Sequence, residues 1–95
     1  MAAYIVFIKE REHDAAAMAD YAARAGATTS GHAAKPLVYY GAIETLEGPE
    51  AQGSVIIEFP TMEEARAWYQ SDAYQAARAV RFQGADYRVF LTQGI

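Results

Sequence analysis

The chain has 95 residues, 53% of them hydrophobic, with 12 acidic against 8 basic side chains and a formal charge of -4. That balance argues against a nucleic-acid surface, which needs clustered Lys and Arg to neutralise phosphates. The absence of cysteine excludes disulfides, thiolate metal sites and cysteine nucleophiles. Residues 1–95 are expected to form a single domain around one core, and nothing asks for an oxidising compartment, so the cytoplasm is the expected location.

Ala3 to Lys9 is apolar on both faces, with Tyr4, Val6 and Ile8 pointing one way and Ile5 and Phe7 the other, as in a central strand. The run is too short for a membrane span, and the charged Lys9-Glu10-Arg11-Glu12 follows it rather than a cleavage site. Asp14 is placed to cap a helix from Ala15 to about Ala25, with an inner stripe of Ala15, Met18, Tyr21, Ala22 and Ala25 and with Gly26 as its C-cap. Pro36 opens a second strand, Leu37 to Leu46, in which Gly41 suggests a bulge or a close backbone approach. Glu47 to Gly53 is a turn, too long for a two-residue hairpin.

The next stretch is strand, turn and helix. Val55, Ile57 and Phe59 alternate with Ser54, Ile56 and Glu58. Pro60 has no N–H to donate and ends the ladder. Thr61 and Glu64 have the spacing of a capping box, and Met62, Ala65, Trp68 and Tyr69 form a helical apolar stripe. Ser71 or Asp72 caps a further helical piece that carries Tyr74, Ala77, Arg78 and Arg81 on one face and ends at Gly84. Tyr87 to Thr92 is the last strand. The order β-α-β-β-α-β predicts a ferredoxin-like α+β fold, a four-stranded antiparallel sheet with its helices on one face. Apolar strand residues (Ile5, Phe7, Ile56 and Phe90, or their alternates) are then left on the other face. A second copy of the chain, sheet to sheet, is the expected cover.

The block Ile57-Glu58-Phe59-Pro60-Thr61-Met62-Glu63-Glu64-Ala65-Arg66-Ala67-Trp68-Tyr69, followed by Ser71 and Tyr74-Gln75, resembles the bacterial family called domain of unknown function 1330. The likeness extends to Leu46-Glu47-Gly48, Arg81 and Gly94, nearly the whole chain. It implies the dimeric α+β barrel, an arrangement shared by cofactor-independent monooxygenases, muconolactone-type isomerases, dye-decolourising peroxidases and haem-degrading enzymes. It implies no reaction and no catalytic residues. Many members have Arg-Gly-Gly where this chain has Tyr40-Gly41-Ala42, which puts any anion-binding role of an Arg there in doubt.

Several side chains are candidates for chemistry. His32 lies just before the second strand, and histidine's ordinary titration range suits a general base, with Glu44 as a second candidate. A loop histidine bonded to backbone is the plainer reading of His32. Arg78 and Arg81 could clamp a ligand anion, Arg81 as its anchor, or could lie over aromatic neighbours such as Tyr74 and Phe82. Tyr40 and Trp68 are candidate ligand contacts, and the surplus of tyrosines suits a planar phenolic ligand. Glu58 with Arg88, or Glu44 with an arginine, reads as an ion pair at the dimer seam or as the polar floor of a pocket. Neither zinc-ligand spacing, nor a phosphate loop, nor GxSxG is present.

The expectation from sequence is a cofactor-free homodimer that binds a small aromatic or carboxylated molecule between helices and sheet and performs proton transfer or oxygenation there. The alternative is a non-catalytic interaction module. A third reading places haem on His32.

Overall fold

The computed structural model describes residues 1–95. Four strands, β1 (Ala3–Glu12), β2 (Lys35–Tyr39), β3 (Gly53–Phe59) and β4 (Ala85–Gln93), form one antiparallel sheet in the order β2-β3-β1-β4. Helix α1 (Ala15–Ala27) connects β1 to β2, and two helices, α2 (Met62–Tyr69) and α3 (Asp72–Gly84), connect β3 to β4. This is the ferredoxin-like α+β arrangement. No helix is long and apolar enough to cross a membrane.

The helix ends follow local chemistry. The Asp14 carboxylate accepts from the N–H groups of Ala16 and Ala17, Thr61 Oγ1 from that of Glu64, and Ser71 Oγ from that of Tyr74. Gly26, the expected C-cap, lies inside α1 instead. The helix runs one residue further and Thr28 closes it, its hydroxyl donating to the Ala25 carbonyl at 2.6 Å. At the other end α1 crosses α3 closely: a Cβ on Gly84 would lie 2.7 Å from Met18 Sδ, so glycine sets that approach.

One sheet face carries all three helices. Ile5 and Phe7 of β1 and Val55, Ile57 and Phe59 of β3 point to it and are buried, with Ala65, Trp68, Tyr74 and Ala77 packed on them. The alternates face away. Register places Val38, Ile56, Val6 and Phe90 side by side across all four strands on that open face, and Phe90 is 45% exposed. The outward apolar set on β1 is therefore Tyr4, Val6 and Ile8, while Ile5 and Phe7 belong to the core.

The expected extent of the second strand is corrected. The second strand ends at Tyr39 rather than Leu46, because Tyr40 adopts φ 51 and turns the chain out of the ladder. Glu44 is therefore an exposed loop residue. Glu58 and Arg88 do not pair within the chain, since Glu58 lies opposite Tyr4 and Arg88 opposite Ile8, four residues further along β1 on the same face. Glu58 instead accepts from the Tyr4 hydroxyl at 3.3 Å, and Arg88 approaches Glu10 at 3.8 Å.

Candidate functional site

The inner face of α1 presents small side chains where a packed core would have large ones. Ala22, Ala25 and Gly26 stand back from the sheet, and a cavity of about 500 Å3 remains between α1 and strands β1, β2 and β3. Phe7, Val55, Ile57 and Trp68 form its floor, Met18 and Tyr21 one wall, and Pro36, Tyr39 and Tyr40 the β2 side. Polar groups gather at one end, where Lys9, Glu12 and Tyr40 line the cavity and Lys9 Nζ meets Glu12 at 3.2 Å. A mostly apolar space with few polar groups at one edge is the usual form of a small-molecule site.

Tyr40 is held there by its backbone. A left-handed conformation costs a non-glycine residue on the order of 1–2 kcal/mol, and here its N–H still donates to the Ser54 carbonyl at 2.8 Å. The turn lays the ring on Gly53, where an added Cβ would lie 2.8 Å from Tyr40 Cδ1. The missing side chain of Gly53 thus makes the slot. From it the Tyr40 hydroxyl reaches across β1 to hydrogen-bond the Tyr87 hydroxyl on β4. Tyr39 and Tyr40, although consecutive, both line the cavity, with ring centroids 4.9 Å apart.

A second phenol pair, Tyr21 and Tyr74, joins α1 to α3 at 2.8 Å. Between the two pairs sits Arg81. Its side chain is 2% exposed and its Nε has no hydrogen-bond partner. Its Cζ lies 5.0 Å from the Tyr87 ring centroid, 5.3 Å from Phe82, 5.8 Å from Phe7 and 5.9 Å from Tyr21. No carboxylate is within ion-pair distance of it. The charge is compensated by ring faces and phenols alone, an unusual way to hold a buried cation. Phe7 and Tyr21 also line the cavity, so one aromatic layer separates it from the guanidinium.

Burial pushes all four of these phenols above the ordinary tyrosine range, and Arg81 pulls each partly back. For Tyr21 and Tyr74 the consequence for stability has a definite sign. An unfolded tyrosine loses its proton near ~10 and the folded one later, so their contribution is complete below that pH and is lost as pH rises above it. Urea denaturation from neutral to strongly alkaline pH is expected to show a plateau up to about 9.5, then a fall of roughly 1.4 kcal/mol per pH unit for each buried phenol. Tyr74→Phe should make the fall shallower. A profile unchanged by that substitution would contradict the assignment.

Of the residues singled out in the sequence, Tyr40 and Trp68 line the cavity. Arg81 stands behind its wall. Arg78 does not line the cavity but shares Phe82 with Arg81: its Nε donates to the Tyr69 hydroxyl at 2.9 Å and its Cζ sits 4.3 Å from the Phe82 ring centroid. His32 lies in the turn after α1, its backbone N–H bonded to the Thr29 carbonyl at 3.0 Å, and neither it nor Glu44 lines the cavity. Lys9 and Glu12 were missed, because the charged run reads as a loop while β1 in fact continues through it. A bulge between Lys9 and Arg11 reverses the alternation and puts Lys9 and Glu12 on the same, helix-covered face. No group of three or more His, Asp or Glu side chains could hold a metal ion.

Comparison with solved structures places this geometry among known folds. A protein of unknown function from Rhodopseudomonas palustris superposes with a TM-score of 0.73 at 21% identity, over 99% of this chain and 82% of that one. SnoaB, a cofactor-independent oxygenase from Streptomyces nogalater, gives 0.63 at 10% identity over 99% and 92%. A dimeric protein of unknown function and ferredoxin-like fold from Bacteroides fragilis gives 0.64 at 11% over 98% and 95%. At these identities the likeness is one of fold. A search of curated protein sequences finds no match. The family model for domain of unknown function 1330 matches residues 2–95, and the chain belongs to that family.

Proposed function

We propose that this protein is a homodimer that binds a small, planar, largely apolar organic molecule between α1 and the sheet. The observation that carries the reading is the cavity of about 500 Å3 left by the small residues of α1 and floored by Trp68 and Phe7. Its charged groups are Lys9 and Glu12 alone, beside Tyr40, which suits an aromatic ring system with one oxygen-bearing edge. The pairing of two copies is supported by the apolar row Val38, Ile56, Val6 and Phe90 on the uncovered face, and by the dimeric Bacteroides fragilis protein of similar fold.

In this reading Tyr40 and Trp68 touch the ligand, and Arg81 acts on it electrostatically through Phe7 and Tyr21. Arg78 supports that wall through Tyr69 and Phe82. His32 and Glu44 stand on the loops that follow Thr29 and Tyr40, both of which line the cavity, and would act as bases only with those loops closed over the ligand. Cofactor-independent proton transfer or oxygenation is the reaction class of this reading, and the likeness in fold to SnoaB, a cofactor-independent oxygenase, supports the second. Glu12 is the one carboxylate already at the cavity edge. A non-catalytic binding module would share the cavity and the dimer, and turnover separates the two.

The binding test uses 2-naphthol and the fluorescence of Trp68, the single tryptophan. Saturable quenching is expected, and Ala22→Phe, which fills the cavity from α1, should weaken it at least tenfold while leaving the circular dichroism spectrum unchanged. Ala25→Leu provides the same test should Ala22→Phe fail to fold. Unsaturable quenching in the natural chain, or undiminished binding in a folded filled variant, would overturn the reading.

A further inference from the structure

We infer that the corner of the cavity formed by Lys9 and Tyr40, with Tyr87 bonded behind Tyr40, is an oxyanion site that selects a phenolic or enolic ligand in its ionised form. This rests on the cavity reading above and adds the chemistry of the ligand's polar edge.

The first observation is the backbone of Tyr40. Gly41 follows immediately and could adopt a left-handed conformation without strain, yet Tyr40 takes it. What the strain achieves is position. The ring leaves the β2 ladder and lies on Gly53, where Tyr40 lines the cavity, and it carries its hydroxyl to Tyr87.

The second observation is proton bookkeeping in that phenol pair. Each phenol has one proton, and only one of the two can lie in their shared hydrogen bond. Tyr87 does not line the cavity, whereas Tyr40 does. With Tyr87 donating to Tyr40, the Tyr40 proton is free to donate into the cavity and Tyr87 strengthens it as a donor.

The third observation is charge. Lys9 Nζ lies 5.5 Å from the Tyr40 ring centroid and lines the cavity, and Arg81, with its unpartnered Nε, lies 5.0 Å from the Tyr87 ring centroid. Against these two cations stands one carboxylate, Glu12, on Lys9. The other titratable groups packed around the corner are the phenols of Tyr21, Tyr39 and Tyr74, and the pair His13 and Asp86 at the start of β4. Lys9 is thus matched by Glu12 and Asp86 faces His13, which leaves Arg81 as the cation of the corner with no carboxylate partner. The two donors at this corner, one hydroxyl and one ammonium, do not form a planar fork. They fit one oxygen on a flat ring better than the two oxygens of a carboxylate, for which a guanidinium fork is the usual partner.

The probe is 4-nitrophenol, whose ionised form absorbs visible light. Titrated against pH with excess protein, the bound compound is expected to ionise at lower pH than the free one, corresponding to about a tenfold preference for the phenolate. Tyr40→Phe and Lys9→Met should each reduce that preference at least threefold. Lys9→Arg, which retains the charge, should keep it, and Glu12→Gln, which removes the opposing carboxylate, should increase it. The ratio is read within each variant, so a general loss of affinity or stability does not move it. Binding of 4-nitrophenol with its ordinary ionisation, or a preference that survives both Tyr40→Phe and Lys9→Met, would overturn the oxyanion site while leaving the cavity reading standing. Failure of the natural chain to bind either form would overturn both.

Discussion

Replacing Trp68 by alanine is expected to destabilise the protein by about 3–5 kcal/mol. The ring is 2% exposed and sits at the junction of α2 with the sheet, its centroid 4.3 Å from that of Tyr74, 5.6 Å from Phe59 and 6.3 Å from Phe7. Its indole N–H donates to Thr28 Oγ1 at 3.0 Å, and that hydroxyl in turn donates to the Ala25 carbonyl. Truncation therefore opens the cavity floor, removes these aromatic contacts and that with Tyr69, and leaves the buried Thr28 hydroxyl without its donor. The change corresponds to a fall in melting temperature of roughly 4–8 °C for each kcal/mol. Urea denaturation followed by circular dichroism, at fixed protein concentration because the proposed assembly would contribute to stability, measures it. A loss below about 1 kcal/mol would mean that Trp68 does not support the floor.

Placing a charge in the middle of the open face is expected to separate the two copies. Ile56 lies between Val38 and Val6 in the apolar row, so Ile56→Asp in a symmetric sheet-to-sheet pair introduces two carboxylates into one desolvated seam. Sedimentation should give twice the chain mass of 10.4 kDa for the natural protein at micromolar concentration and 10.4 kDa for the variant. The same sheet face is solvent-exposed in the separated chain, so the circular dichroism spectrum should change little. A natural chain that sediments alone, or a variant that stays paired, would contradict the proposed assembly.

Much of the scaffold can be read from residue pattern, because it depends on local chemistry. Alternation through Val55, Ile57 and Phe59 fixes the buried face of β3, and Asp14, Thr61 and Ser71 mark the helix starts. The cavity is less legible. Alanines at 22 and 25 read equally as close packing or as vacant space, and only the distance from α1 to the sheet decides between them. Tyr40 and Trp68 were recognisable as candidate contacts, but the left-handed turn at Tyr40 was not, since glycine stands next to it and invites the assignment of any irregularity to Gly41. Lys9 and Glu12 were hidden for a related reason: a bulge shifts the alternation, and a charged run gives no sign of which face it serves. Arg81 could be placed on the inner face of a helix by spacing, whereas the absence of a carboxylate partner is a property of the assembled fold.

The most direct test of the central claim is an amide chemical-shift map of isotope-labelled protein titrated with 2-naphthol. The account predicts that the largest shifts fall on Ala22, Ala25, Gly26, Tyr40 and the Trp68 indole N–H, around the space between α1 and the sheet. Shifts confined to Val6, Ile56 and Phe90 on the opposite face would contradict it, as would a spectrum that 2-naphthol leaves unchanged.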